Sequence, residues 1–178
     1  MADGFHFNIS MISRGKRKSA VASAAYISCE KLTNEWDGVT HDYHNKKGNF
    51  IHTYAGIELR LKMYEIMKKQ GHEEETGKAK ITSGYNLPAK YILHTVGPII
   101  QWEVTGKEEE LLASCYRECL KLAADTGAES VAFCCLSTGV FRFPQQRAAE
   151  IATETVKNYI NEDSRIKKSY LTYSRTMI

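Results

Sequence analysis

The chain is 178 residues long, 43% hydrophobic and 25% charged, with a formal net charge of +3. That composition suits a soluble globular protein with one apolar core, and the small net charge does not announce a nucleic-acid binder. No apolar run approaches the roughly 20 residues of a helical membrane span, and no secretory leader or membrane partner is expected.

Five cysteines are present, an odd number, with Cys134 and Cys135 adjacent and Cys115 and Cys119 at i, i+4 spacing. They do not read as a disulfide framework, so a cytoplasmic location is expected. His41 and His44 form an H-x-x-H pair without further ligands at metal spacing, which reads as a polar loop.

In chain order, residues 5–12 alternate apolar and polar side chains, as a half-buried strand does. A basic knot, Arg14 to Lys18, precedes Ser19, which is expected to cap a helix running to about Leu32 with Val21, Ala24, Ser28 and Leu32 on one face and Tyr26 on its flank. Residues 33–49 are polar and read as loop, the most plausible boundary in the chain. Next, Ile57, Leu61 and Tyr64 predict one side of a helix, widened by Leu59, Met63 and Met67 and stopped by Gly71.

Lys90 to Val96 reads as a central strand ended by Gly97-Pro98, with His94 a hydrogen-bonded structural histidine inside it. Residues 107–126 form the clearest helix. Glutamates 108–110 oppose the positive end of its dipole, Gly127 stands in C-cap position, and Cys115 and Cys119 fill core space on its apolar stripe.

Val131 to Leu136 then predicts a buried strand, followed by a small polar loop and a helix from Pro144 whose apolar positions are Ala148, Ile151, Ala152, Val156 and Ile160. A last edge strand is expected at 170–173. Alternating helices and strands from residue 55 onward mean an α/β layer with helices packed on a sheet.

The loop between that buried strand and the Pro144 helix carries the chemistry. A strand–loop–helix unit points loop N–H groups and a helix N-terminus at whatever lies beyond the strand, which favours an anion. Within it, Gly139 lets the backbone approach a phosphate, the hydroxyls of Ser137 and Thr138 can donate to its oxygens, and Phe141 can stack on a sugar or base at the rim. Taken alone, the same residues also read as an ordinary turn with a core aromatic.

Two family resemblances add to this. Phe5-His6-Phe7, Ile12-Ser13-Arg14, the run Ser19 to Leu32 and His41-Asp42-Tyr43 resemble the opening of the MobA/MobL plasmid-mobilisation relaxases. That likeness implies a tyrosine nucleophile attacking a DNA phosphodiester, which maps onto Tyr26, assisted by a histidine-held metal whose histidine cluster has no counterpart here.

Residues 49 to about 160 resemble the C-terminal two-thirds of a macrodomain, in Ile51 to Leu61, Gln70 to Thr82, Tyr85 to Pro98, Leu111 to Tyr116 and Ser137-Thr138-Gly139-Val140-Phe141. The Gln-Gly-His-Glu-Glu form at 70–74 is similar to bacterial zinc-containing macrodomains that remove ADP-ribose from proteins.

The macrodomain resemblance implies a three-layer α/β/α fold, here partial and carrying an N-terminal strand–helix appendage. It also implies that Ser137, Thr138, Gly139, Val140 and Phe141 bind the diphosphate and distal ribose. The family's early strands with an adenine-holding aspartate, its Asn-Ala-Ala-Asn loop and its Cys…His…Cys zinc cluster have no counterpart upstream of Asn49. No metal cofactor is therefore expected, no catalytic residue is assigned, and hydrolysis is expected to be impaired.

The domain reading is a relaxase-like fragment at 1–48 followed by a truncated macrodomain at 49–178. The functional reading is a protein that binds ADP-ribose or an ADP-ribosylated protein, with hydrolysis of the modification in the same class. The alternative is a relaxase fragment with DNA as partner, acting through Tyr26.

Overall fold

A computed structural model describes residues 19–24, 46–87 and 89–171. Five strands form one sheet: β1 (Ser19–Ala24), β2 (Ala79–Ser83), β3 (Tyr91–Thr95), β4 (Ser130–Phe133) and β5 (Lys168–Leu171), in spatial order β2-β3-β1-β4-β5. The helices are α1 (Lys46–Ala55), α2 (Ile57–Gln70), α3 (Gly106–Asp125) and α4 (Gln145–Glu162).

Strand β1 is parallel to both β3 and β4, with Ala22 opposite Leu93 on one side and Phe133 on the other. β5 continues the parallel set beyond β4, and β2 closes the other edge antiparallel to β3. The helix expected from Ser19 is therefore corrected over its first six residues. Ala, Val and Ser are small enough for either state, but β3 and β4 each need a hydrogen-bonding neighbour on the side they turn to β1, and this segment meets that need. The rest of that expected helix, Tyr26 included, and the strand expected at 5–12 lie outside the described residues.

Alternation along β3 sorts the core into two layers. Ile92 faces Ile51, Ala55, Leu59 and Met63 of α1 and α2. Leu93 faces the larger cluster on the other side of the sheet, where Leu112, Cys115, Tyr116, Cys119 and Leu120 of α3 meet Phe133, Leu136 and the Ala148–Ile151–Ala152–Val156 stripe of α4. The result is helix on sheet on helix. Tyr116 and Phe133 pack at a ring separation of 5.1 Å, tilted by 60°.

Local chemistry accounts for the helix ends. Thr105 and Glu108 form a reciprocal capping box at the start of α3, and Gly127 takes φ +72° after its last turn. Between α1 and α2, Gly56 adopts φ +93° with Asn86 Nδ2 only 2.7 Å from where a Cβ would sit, so glycine is required there.

Three further expectations are revised. Residues 46–49, read as loop, begin α1. On α2 the buried stripe is Leu59–Met63–Met67, while Ile57 and Leu61 are 60% and 47% exposed. The interior strand at 131–136 ends as a strand at Phe133, although Cys134 and Leu136 stay buried beyond it.

Candidate functional site

Four strands run parallel, so their carboxyl ends open on one edge of the sheet. The chain leaves β1 for β3 through α1, α2 and β2, whose helices cover one face, then crosses to β4 through α3 on the opposite face. That reversal makes the carboxyl end of β1 the switch point of the sheet, the place where open α/β folds hold ligands.

Over this end, the loop leaving β3 meets the loop leaving β4. Ile100 N–H donates to Phe141 O at 2.8 Å. A Cβ on Gly97 would lie 2.1 Å from Ser137 Oγ, so the absence of a side chain at 97 is what lets the loops close on each other.

The loop leaving β4 is folded by two of its own bonds, Phe143 N–H to Ser137 O at 2.9 Å and Arg142 N–H to Gly139 O at 3.0 Å. Both bonds turn carbonyls inward. By contrast, the N–H groups of Ser137, Thr138, Gly139 and Val140 donate to no acceptor among the described residues. Four consecutive N–H donors without an acceptor among the described residues lie on a loop that leads through Pro144 into α4, an arrangement suited to an anion.

No side chain caps that helix, and its first intrahelical bond runs from Ala148 N–H to Pro144 O at 2.9 Å. Ser137 Oγ is also buried without a hydrogen-bond partner among the described residues. Ser137 and Arg142, at the two ends of the folded loop, hold φ of +58° and +59°. Side-chain-bearing residues occupy this left-handed region at a cost of about 1–3 kcal/mol each when the surroundings impose it, and such strain gathers at functional sites.

Gly139 is exposed, lies outside the left-handed region and has no heavy atom within 4 Å of a built Cβ. The space over the loop is open. Val140 is 53% exposed and Phe141 half-buried at the rim. The five residues singled out from the sequence therefore lie together on one turn at the carboxyl edge, while Tyr26, His41 and His44 lie outside the described residues. Below β4, Tyr116, Phe133, Cys135, Thr138, Gln145 and Leu171 border a cleft between α4 and the sheet.

A second polar group lies under α1 and was only half legible in the sequence. His94 is 4% exposed and its Nε2 lies 2.9 Å from Thr82 Oγ1, in keeping with a hydrogen-bonded structural histidine. Its ring stands 6.3 Å from that of His52, which is 8% exposed. His52 Nε2 and His94 Nδ1 find no hydrogen-bond partner among the described residues.

Burial first, and then the guanidinium of Arg60, lowers the His52 pKa to about 4; burial and the neighbouring His52 lower that of His94 to about 3. Both rings are neutral at pH 7. His52 was not singled out from the sequence, although its spacing with Ile51, Ala55 and Leu59 marks the inward face of α1–α2.

The cysteines of α3 are inert filling. Burial pushes the Cys115 thiol up to about 11 and raises Cys119 well above the usual range. Among the described residues no three His, Cys, Asp or Glu side chains are grouped to hold a metal ion. No helix among the described residues is long and apolar enough to cross a membrane.

An open, mainly parallel sheet whose switch point carries a loop of free N–H groups is the architecture of an anion-binding α/β domain. The chain belongs to the Macro domain family, whose model matches residues 41–152; a model of the MobA/MobL family matches residues 18–55.

Among similar proteins, a protein-ADP-ribose hydrolase of Treponema medium is 60% identical over 111 residues, covering 62% of this chain and 42% of the relative. One from Staphylococcus aureus is 57% identical over 120 residues, covering 67% of this chain and 45% of the relative. The chain thus spans less than half the length of these curated relatives. In structure it resembles a variant of the Oceanobacillus iheyensis macrodomain with ADPR, with a TM-score of 0.73 and 34% identity over 92% of this chain and 82% of the other.

Proposed function

We propose that this chain binds ADP-ribose, free or attached to a protein, with the loop Ser137–Phe141 holding the diphosphate. The observation that carries the reading is the run of four N–H groups from Ser137 to Val140, without an acceptor among the described residues, at the switch point of the sheet. A diphosphate presents several acceptor oxygens within a few ångströms, which suits clustered backbone donors better than a single cation does. Phe141 at the rim offers a ring for the sugar beyond the phosphates.

The 60% identity to a protein-ADP-ribose hydrolase over 111 residues supports hydrolysis as the reaction class. In that step water forms the new bond to the anomeric carbon of the distal ribose, the bond from that carbon to the modified side chain breaks, and the water's proton passes to the departing group. The contribution proposed for the described residues is binding and orientation through the phosphates.

We further read residues 1–48 and 49–178 as segments of different descent. On this reading the relaxase-like segment supplies the middle strand of a macrodomain sheet, and the protein works in a reducing cytoplasm without a resident metal.

Calorimetric titration with ADP-ribose tests binding, with Gly139→Glu as the variant. Gly139 faces open space at an ordinary φ, so the new side chain folds without a clash and puts its bulk and negative charge where the phosphates lie. Saturable heat for the parent and none for the variant, at unchanged melting temperature, is the expected result. A folded parent that yields no heat would end the reading.

A further inference from the structure

Arg142 combines three properties. It holds φ +59°, where glycine is the residue at ease. Its side chain is exposed. Its guanidinium meets no carboxylate among the described residues. Other arginines of this half of the molecule are neutralised: Arg117 by Glu110, Arg147 by Glu109 and Glu150, Arg165 by Asp125 and Asp163.

Arg147 shows the contrast well. It stands in the first turn of α4, near the loop, yet its fork is committed to Glu109 with Nε–Oε1 at 2.6 Å and Nη2–Oε2 at 2.8 Å. It ties α4 to α3, and little of its charge is left for a ligand.

Arg142 is placed otherwise. The bond from its N–H to Gly139 O closes a turn at 3.0 Å, bringing its Cα close to the residues whose N–H groups are free. A long side chain starting there spans the separation to an anion seated on the loop. The strained backbone sets the direction of departure, and glycine, which would relieve the strain, would remove the charge. Strain borne by a residue whose side chain is exposed and forms no ion pair among the described residues points to a role toward something outside the protein.

We propose that Arg142 is a specificity-determining residue of the loop, whose guanidinium pairs with the diphosphate oxygens that the N–H groups of Ser137–Val140 leave uncovered. This rests on the ADP-ribose reading above. Diphosphates are thereby favoured over neutral ribosides of the same shape, and binding is salt-dependent because an exposed cation takes part.

The test is titration of ADP-ribose into the parent, Arg142→Gln, Arg142→Lys and Arg142→Gly at low and at raised salt, with a melting curve for each. Removing the guanidinium is expected to weaken binding about tenfold at low salt in the Gln and Gly variants, in the range of a charge-assisted hydrogen bond partly exposed to solvent. Both should show a flatter salt dependence than the parent. Arg142→Lys keeps the charge and retains most of the affinity and the salt dependence.

Arg142→Gly should melt no lower than the parent despite its weaker binding, which a residue serving only the fold would not do. A Gln variant that binds like the parent at both salt concentrations overturns the proposal and leaves the ADP-ribose reading intact. A folded parent that binds no ADP-ribose overturns that reading, and this proposal with it.

Discussion

Acidification should weaken this fold through two named side chains. His52 and His94 are buried with pKa values near 4 and 3, against about 6.5 in an unfolded chain. Below pH 6.5 the unfolded state takes up protons that the folded state refuses, so their contribution is full above pH 6.5. It is lost as pH falls, down to about 4 for His52 and about 3 for His94.

At pH 5.5 both rings are still neutral in the fold. The loss relative to pH 7.5 is therefore about 1.4 kcal/mol for each ring and about 3 kcal/mol for the two, set by the unfolded value and not by how far below 5 the folded values lie. Urea denaturation at pH 7.5 and 5.5 reads it directly. The parent should lose about 3 kcal/mol more than a His52→Asn, His94→Asn double variant loses over the same interval, with the single variants between. Equal losses in parent and double variant would refute the reasoning, because they would mean that the rings charge within the fold.

Two further outcomes follow from packing and capping. Phe133 is fully buried against Tyr116 in the larger core, and Phe133→Ala should lower the unfolding free energy by about 3–5 kcal/mol in the same denaturation measurement. Thr105→Ala removes the hydroxyl half of the capping box on α3, leaving the bond from its backbone N–H to Glu108, and should cost about 1 kcal/mol, with circular dichroism showing the helix retained and only its melting shifted.

The comparison of sequence with fold divides along the range of the forces involved. The helices at 106–125 and 145–162 were legible because what makes them is local: the Thr105–Glu108 cap, Gly127 at positive φ, and apolar positions every three to four residues. The loop between β4 and α4 was legible as a loop for the same reason, as small polar residues between an apolar run and a helix-starting proline.

Strand β1 was not legible. Ser-Ala-Val-Ala-Ser-Ala has small side chains and no strong period, so its local preferences fit a helix at least as well as a strand. Its state depends on β3 and β4, more than sixty residues further along the chain, whose facing edges hold backbone donors and acceptors that need a partner. The exposure of Ile57 and Leu61 is of the same kind, since α1 and α2 have one sheet face to cover and the Leu59–Met63–Met67 stripe is the one that reaches it.

The amino-acid sequence by itself determined local parts such as the helices at 106–125 and 145–162, with their ends, and the short loop between β4 and α4. Only the tertiary structure decided which distant segments meet, placing Gly97 against Ser137 and His52 beside His94, because those contacts depend on the order of strands in the sheet.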